Sequence, residues 1–491
     1  MKFLVFKHGR VVDDFTLGGA YMFGTDGISL RRASITFKDG VIECKRPNQE
    51  TAGLALLWPV EGFGRVLLPT TCLPERKQPY VLNIEIARAK LMQVTNKRED
   101  WLFFDAVEGM EEISKAAQDL FIRGIQNIQD APASSQLADE SLEKTMVFAE
   151  KLAVRQGQLL FNSRSRNHGF GRGCLGCRLD PDQIRNAEYI ERLLEVFGFV
   201  TIPVNWARIE SRPGNYDFSS IDACISALGK RKVVVGAGPL LHFSAESLPE
   251  WLLHGGMSFE KVREAAFQFV LRVVARYAGN VHRWYSIGGV NEFNQFNFNF
   301  EQILEMTRAA SMAVKAASSR ALNIIEVSSP WGEYYGATPS GIPPFVYMDM
   351  VVQSGVNLDA FGLRMCFGKN EAGMHVRDMM QVSAVLDSFG AMAKPMHITD
   401  AEVPSQSGGG LYDAESAGVW HQKWDQSRQG RWIEQFFRIA LSKPFVDAVT
   451  YANLSDRQGS TIAYSGLLTE QLEPKESFAV FKKLRDAVFG R

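Results

Sequence analysis

Two short stretches of the chain place carboxylates where strand-like runs give way to loops. One is Gly289-Val290-Asn291-Glu292, and the other is His397-Ile398-Thr399-Asp400-Ala401-Glu402-Val403-Pro404. Asp400 and Glu402 stand two residues apart, which puts both side chains on one face if the backbone stays extended. Two acids facing each other across a cleft can cleave a glycosidic bond. One, with a raised pKa, protonates the leaving oxygen, and the other, ionised, stabilises or attacks the anomeric carbon. Acids at strand ends also cap helices or form ion pairs, so the reading depends on the elements that carry them.

Those elements form an alternating series. Segments 174–179, 200–204, 233–236, 282–287, 324–328, 360–364, 395–399 and 448–454 are strand-like, and helical stretches such as 182–196, 258–277, 300–317 and 431–441 separate them. Eight strands alternating with helices predict a (β/α)8 barrel, whose chemistry sits where strands end and the following loops begin. Strands four and seven lie across such a barrel, so Glu292 faces Asp400 and Glu402 over the mouth. No Gly-rich phosphate loop follows a strand; Gly169, Gly171 and Gly173 are evenly spaced ahead of the first one. No nucleotide or other cofactor is expected.

Ahead of the barrel, short β-prone runs punctuated by Gly, Asp and Pro, the last at 80–86, predict an antiparallel sandwich-like domain over 1–105. Residues 106–165 read as a helical connector of two helices broken at 130–135, where Pro132 and a Ser pair interrupt the pattern, and the barrel occupies 166–491. With 54 Lys plus Arg against 55 Asp plus Glu, the net charge of −1 offers no field for a polyanion, so nucleic acid is not an expected partner. Only residues 3–6 lie between the first two lysines, too short for a secretory leader, and no run reaches a membrane span, so the expected location is cytoplasmic. Six cysteines are too few for a disulfide framework, and Cys174-Leu175-Gly176-Cys177 lacks a second ligand pair at zinc spacing, which leaves core cysteines and no metal.

Five ordered motifs in the barrel region resemble family 10 glycoside hydrolases, the clan A barrels best known as endo-β-1,4-xylanases. They are 206–218 (WARIESRPGNYDF), Gly238 to His242 followed by Leu248 to Leu252, Asn291-Glu292, His397 to Pro404, and Gly466-Leu467-Leu468 with Pro474-Lys475. The resemblance implies a retaining β-glycosidase on xylan-like or related oligosaccharides, with Glu292 as acid/base and Asn291 bonding the sugar's 2-hydroxyl. It places the nucleophile at Asp400, where the family has Glu. Asp is one methylene shorter, so Glu402, where the family has Asp, is the alternative.

Trp206 and His242 match the family's sugar contacts, whereas Asn205, Ala237, Arg364 and Ala452 replace its Lys, His, Gln and Trp. These changes imply altered sugar specificity. Trp331, Tyr334 and Tyr335 follow strand five and could hold the leaving portion. After the small-residue run 405–410, Trp420 and Trp424 either close over a sugar or pack against the first domain. The Phe293, Phe296, Phe298 and Phe300 cluster lines the leaving-group side or covers the rim. The alternative function is a catalytically inactive carbohydrate-binding protein on the same barrel, which carboxylates locked in ion pairs would favour.

Overall fold

The computed structural model describes residues 1–101, 109–229, 231–407 and 416–489. Its centre is a closed parallel barrel with strands Leu175–Arg178, Phe199–Ile202, Val234–Ala237 continued by Leu241–His242, Arg283–Gly288, Leu322–Val327, Ala360–Cys366, Met396–Glu402 and Val446–Tyr451. Pairing of the third strand to the fourth closes the ring. The strands are near-continuous apolar runs because helices cover one face and the barrel interior the other. The alternation expected from the sequence is therefore present strand by strand.

Local sequence starts the barrel helices. Asn299 and Gln302 form a capping box for Phe300–Ala317, Asp378 and Gln381 form another for Met379–Gly390, and Asp425 caps Gln426–Ser442. The seventh strand runs to Glu402 rather than stopping near 399, so Asp400 and Glu402 lie within it. Its register sets Arg364 opposite Asp400 and Cys366 opposite Glu402, with an irregularity at Leu363/Arg364.

The first domain holds two larger antiparallel-rich sheets and a two-stranded pair of Phe6–Lys7 with Arg10–Val11. One orders Ser34–Lys38, Val41–Lys45, Lys2–Leu4 and Tyr80–Val81; the other contains Gly64–Pro69, Gly53–Val60 and Tyr21–Phe23. The expected strand at 80–86 is a correction: it ends at Val81, and Leu82–Asp100 is a helix. Leu82, Ile84 and Ile86 mimic strand alternation, but the buried series Leu82, Ile86, Lys90 and Val94 follows the helical interval of four. The connector helices are Met110–Gln126 and Ala131–Arg166. Pro132 sits in the first turn of the second, where its missing N–H costs nothing, and Asp130 caps that turn by accepting from the Ala133 N–H at 3.2 Å. The expected boundary at 105/106 lies outside the described residues.

The three parts form one packed body. The 36-residue helix Ala131–Arg166 lies along Gln426–Ser442 and Met379–Gly390. Gly157 faces Ile439 so closely that a Cβ there would meet Ile439 Cγ1 at 2.9 Å, and Arg164 donates to the carbonyls of Leu441, Lys443 and Val446.

At the mouth, Val419–Trp420 adds a strand to the second N-terminal sheet, with Trp420 opposite Gly64. Leu67 N–H donates to the Val376 carbonyl at 2.9 Å, Ser29 donates to the Gly332 carbonyl at 2.9 Å, and Arg31 reaches the Gly341 carbonyl at 2.9 Å. The first domain therefore holds the loops that follow strands five, six and seven. Among the described residues, no helix is long and apolar enough to cross a membrane.

Candidate functional site

Glu292 sits on a tight turn at the end of the fourth barrel strand. Gly289 takes φ +62°, and a Cβ there would meet Ser328 Oγ at 2.9 Å and His242 Nε2 at 3.0 Å. Its N–H donates to the Glu326 carbonyl at 3.1 Å, and Glu292 N–H donates back to the Gly289 carbonyl at 3.0 Å. This turn presents Glu292 to the mouth. Burial pushes its carboxyl up to about 7, against the Ser329 hydroxyl, which donates to Oε2 at 2.8 Å, and the Arg364 guanidinium, both of which favour the ionised form.

On the seventh strand Asp400 is buried and meets two guanidiniums through one oxygen. Arg178 Nη2, from the end of the first strand, lies 2.7 Å from Oδ2, and Arg364 Nε, from the sixth, lies 3.5 Å from it. Glu402 is equally buried, and its Oε2 accepts from Asn453 Nδ2 at 2.8 Å and Ser465 Oγ at 2.9 Å. Burial raises its pKa, partly offset by Arg364.

A third acid, Glu326 on the fifth strand, is buried beside Asp400. Burial first and the Asp400 charge second raise its pKa, and Arg178 and Arg364 oppose them. His242 closes the group: burial, then Arg364 and Arg178, pushes its imidazole down to about 3. It is therefore neutral near pH 7, with Nδ1 3.0 Å from Ser244 Oγ and its ring 4.8 Å from that of Phe293. The Arg364 charge acts on Glu292, Glu326, Glu402 and His242 and pairs with Asp400, so strands three to seven all bring a titratable group to one place.

Several residues expected at the sugar have partners within the protein. Asn291 is fully buried: Nδ2 donates to the Ser328 carbonyl at 2.9 Å and to Tyr334 Oη at 2.6 Å, and Oδ1 accepts from Ser328 N–H at 3.1 Å. Both amide hydrogens are thus committed to the loop after strand five. Trp206 lies in the core, its indole N–H on Glu210 at 2.8 Å and its ring stacked on Phe269 at 4.8 Å. Asn205 caps the turn Trp206–Ile209 by accepting from Arg208 N–H.

Tyr334 is buried, and Tyr335 lies under the Arg31 guanidinium of the first domain, 4.1 Å from ring centre to Cζ. Trp331 stays half-buried against Phe367, with Arg377 over its ring. Trp420 and Trp424 are both buried, and Trp420 belongs to the inter-domain sheet, so packing against the first domain is the reading that holds for it. Residues 408–410 of the run before them lie outside the described residues. Phe298 packs edge-on against Phe243 and Phe259. Cys174 and Cys177 are buried core thiols.

Arg178, Glu326 and Ser329 were not singled out in the sequence. Glu326 had left a signal, a lone charge inside the apolar run Ile324-Ile325-Glu326-Val327. Arg178, similarly, is the one charged residue in 174–179.

No family model matches the chain, and no curated protein matches it. Among solved structures it is similar to a GH10 protein from Paenibacillus barcinonensis, with 15% identity over 65% of this chain and 96% of that one and a TM-score of 0.51. It is similar also to xylanase 10B from Thermotoga maritima, with 15% identity, 69% and 99% coverage and a TM-score of 0.50. Xylanase 10B from Thermotoga petrophila RKU-1, solved with xylobiose, gives 16% identity, 64% and 93% coverage and a TM-score of 0.50. At such identity the likeness is one of fold: this chain carries a barrel like that of the GH10 xylanases, with a further N-terminal third.

Proposed function

We propose that this protein is a retaining glycoside hydrolase acting on short β-linked glycosides, xylose-based ones among them. The observation that carries the reading is the contrast between two acids at one barrel mouth. Glu292 is pushed up to about 7 by burial, while Asp400 is paired with guanidiniums. A buried carboxyl raised in this way can donate a proton, and the carboxylate paired with guanidiniums can serve as the second acid.

In this reading Glu292 protonates the departing glycosidic oxygen while Asp400 attacks the anomeric carbon to give a glycosyl-enzyme. Glu292, now ionised, then takes a proton from the water that releases the sugar. Arg178 and Arg364 orient the shorter Asp side chain. Glu402, tied to Asn453 and Ser465, has less freedom to attack, which favours Asp400 of the two strand-seven acids. The hold of the first domain on the loops after strands five to seven supports short substrates over polymer.

One observation favours a second reading, a sugar-binding protein without catalysis. The 2.7 Å Arg178 contact engages the anion that would have to attack. Hydrolysis of a panel of aryl β-glycosides and short oligosaccharides by wild type, Glu292→Ala, Asp400→Ala and Glu402→Ala, with product anomers followed by NMR, decides between the two. Turnover with retained configuration, lost in Glu292→Ala and Asp400→Ala, is the expected result. Sugar binding without turnover of any member of the panel would establish the second reading.

A further inference from the structure

Two guanidiniums at the mouth converge on one carboxylate oxygen. Arg178 and Arg364 both approach the same Asp400 oxygen, at 2.7 and 3.5 Å, and among the described residues the one further hydrogen-bond partner of the two head groups is Thr461 Oγ1, 2.9 Å from Arg364 Nη2. The Nε atoms of both are buried without a hydrogen-bond partner, as is Asp400 Oδ1. Each side chain nevertheless keeps about a fifth of its surface exposed, 22% for Arg178 and 20% for Arg364. A guanidinium carries five N–H donors, so these contacts leave several of them unused.

A third cation, Arg457, lines a narrow crevice with Arg178, Asp180 and Asn453 and pairs with Asp180 at 3.3 Å. Burial drives Glu326 and Glu402 toward their neutral forms, and the neutral His242 contributes no charge.

Two partly desolvated guanidiniums around one carboxylate are costly unless the ligand supplies an anion. The planar fork of Arg matches a carboxylate in bidentate fashion. We propose that the sugar accepted at this mouth carries a carboxylate, as a hexuronic acid does, and that Arg178 and Arg364 recognise it. The inference rests on the glycosidase reading for its turnover assay alone; the binding assay stands apart from it. If the arginines instead serve only to neutralise the buried acids, an anionic sugar gains nothing over a neutral one.

The test compares 4-nitrophenyl β-D-glucuronide with the β-D-glucoside, β-D-xyloside and 6-phospho-β-D-glucoside on the full chain. Calorimetric titration with glucuronate, glucose and glucose 6-phosphate runs beside it. The expected result is a kcat/KM for the glucuronide about tenfold or more above the glucoside, glucuronate bound more tightly than glucose, and a preference that shrinks as salt is raised. Arg364→Gln and Arg178→Gln should erode the glucuronide-to-glucoside ratio. If either variant fails to fold, the wild-type ratios still decide.

Equal or poorer use and binding of the glucuronic sugar would overturn the inference, and preference for the phosphorylated sugar would overturn the carboxylate assignment. Tighter binding of glucuronate with no turnover of any glycoside would uphold the inference and overturn the glycosidase.

Discussion

Removing the Ser329 hydroxyl should move the alkaline limb of the pH–rate profile upward. Glu292 is raised from 4.5 to about 7, so near pH 7 about half of it is protonated, against about 0.3% for an unperturbed side chain. Burial thereby supplies roughly 150-fold more of the acid form at neutral pH. The Ser329 hydroxyl, 2.8 Å away, works in the opposite direction because it stabilises the ionised form.

A hydrogen bond to a charged group contributes about 1.5 to 3 kcal/mol, part of which the protonated carboxyl recovers with the same hydroxyl. At about 1.4 kcal/mol per pH unit, Ser329→Ala should raise the limb by about one unit. The assay is kcat/KM for a β-glycoside with a poor leaving group between pH 4 and 9. Wild type should decline above about pH 7, Ser329→Ala about one unit higher, and Glu292→Gln should lose roughly 100- to 10,000-fold in rate together with the limb itself. An alkaline limb that persists in Glu292→Gln, or one that Ser329→Ala leaves in place or lowers, would refute the assignment of Glu292 as the acid.

Asp400→Ala should abolish turnover of aryl glycosides and recover activity with added azide, giving a glycosyl azide of inverted configuration visible by NMR; recovery in Glu402→Ala instead would transfer the nucleophile. Trp420→Ala empties a buried site in the sheet joining the first domain to the barrel and should lower stability by about 3 to 5 kcal/mol, read as a shifted denaturant midpoint. His397, buried within the seventh strand, is pushed by desolvation down to about 3, so the unfolded chain takes up its proton near 6.5 while the folded one does not. Its contribution is therefore intact above about pH 6.5 and lost as pH falls toward 3, at up to about 1.4 kcal/mol per unit, and His397→Gln should flatten the urea midpoint over that range by this amount.

Much of the fold was legible because barrel strands are short apolar runs and barrel helices carry their own caps. Segments 174–179 and 360–364 mark their strands within a residue or two at most ends, and Phe300–Ala317 coincides with its helix, whose capping box is written in Asn299 and Gln302. The helix Leu82–Asp100 was not legible, since its opening residues are buried on every side and a short apolar window looks alike in both periods. Within the site, Glu292 and Asp400 announced themselves as acids at strand ends. Asn291 and Trp206 carry the residue types of sugar contacts yet are consumed by Tyr334, Ser328, Glu210 and Phe269.

By itself the sequence determined the alternation that closes a barrel and the acids its strands deliver, because periodicity and residue type are local properties. Only the tertiary structure decided which charges meet. The register that sets Arg364 against Asp400, the reach of Arg178 from the first strand, the burial that raises Glu292, and the seating of the first domain on three mouth loops all join residues far apart in the chain. Their energies depend on distance and desolvation, which no window of neighbouring residues encodes.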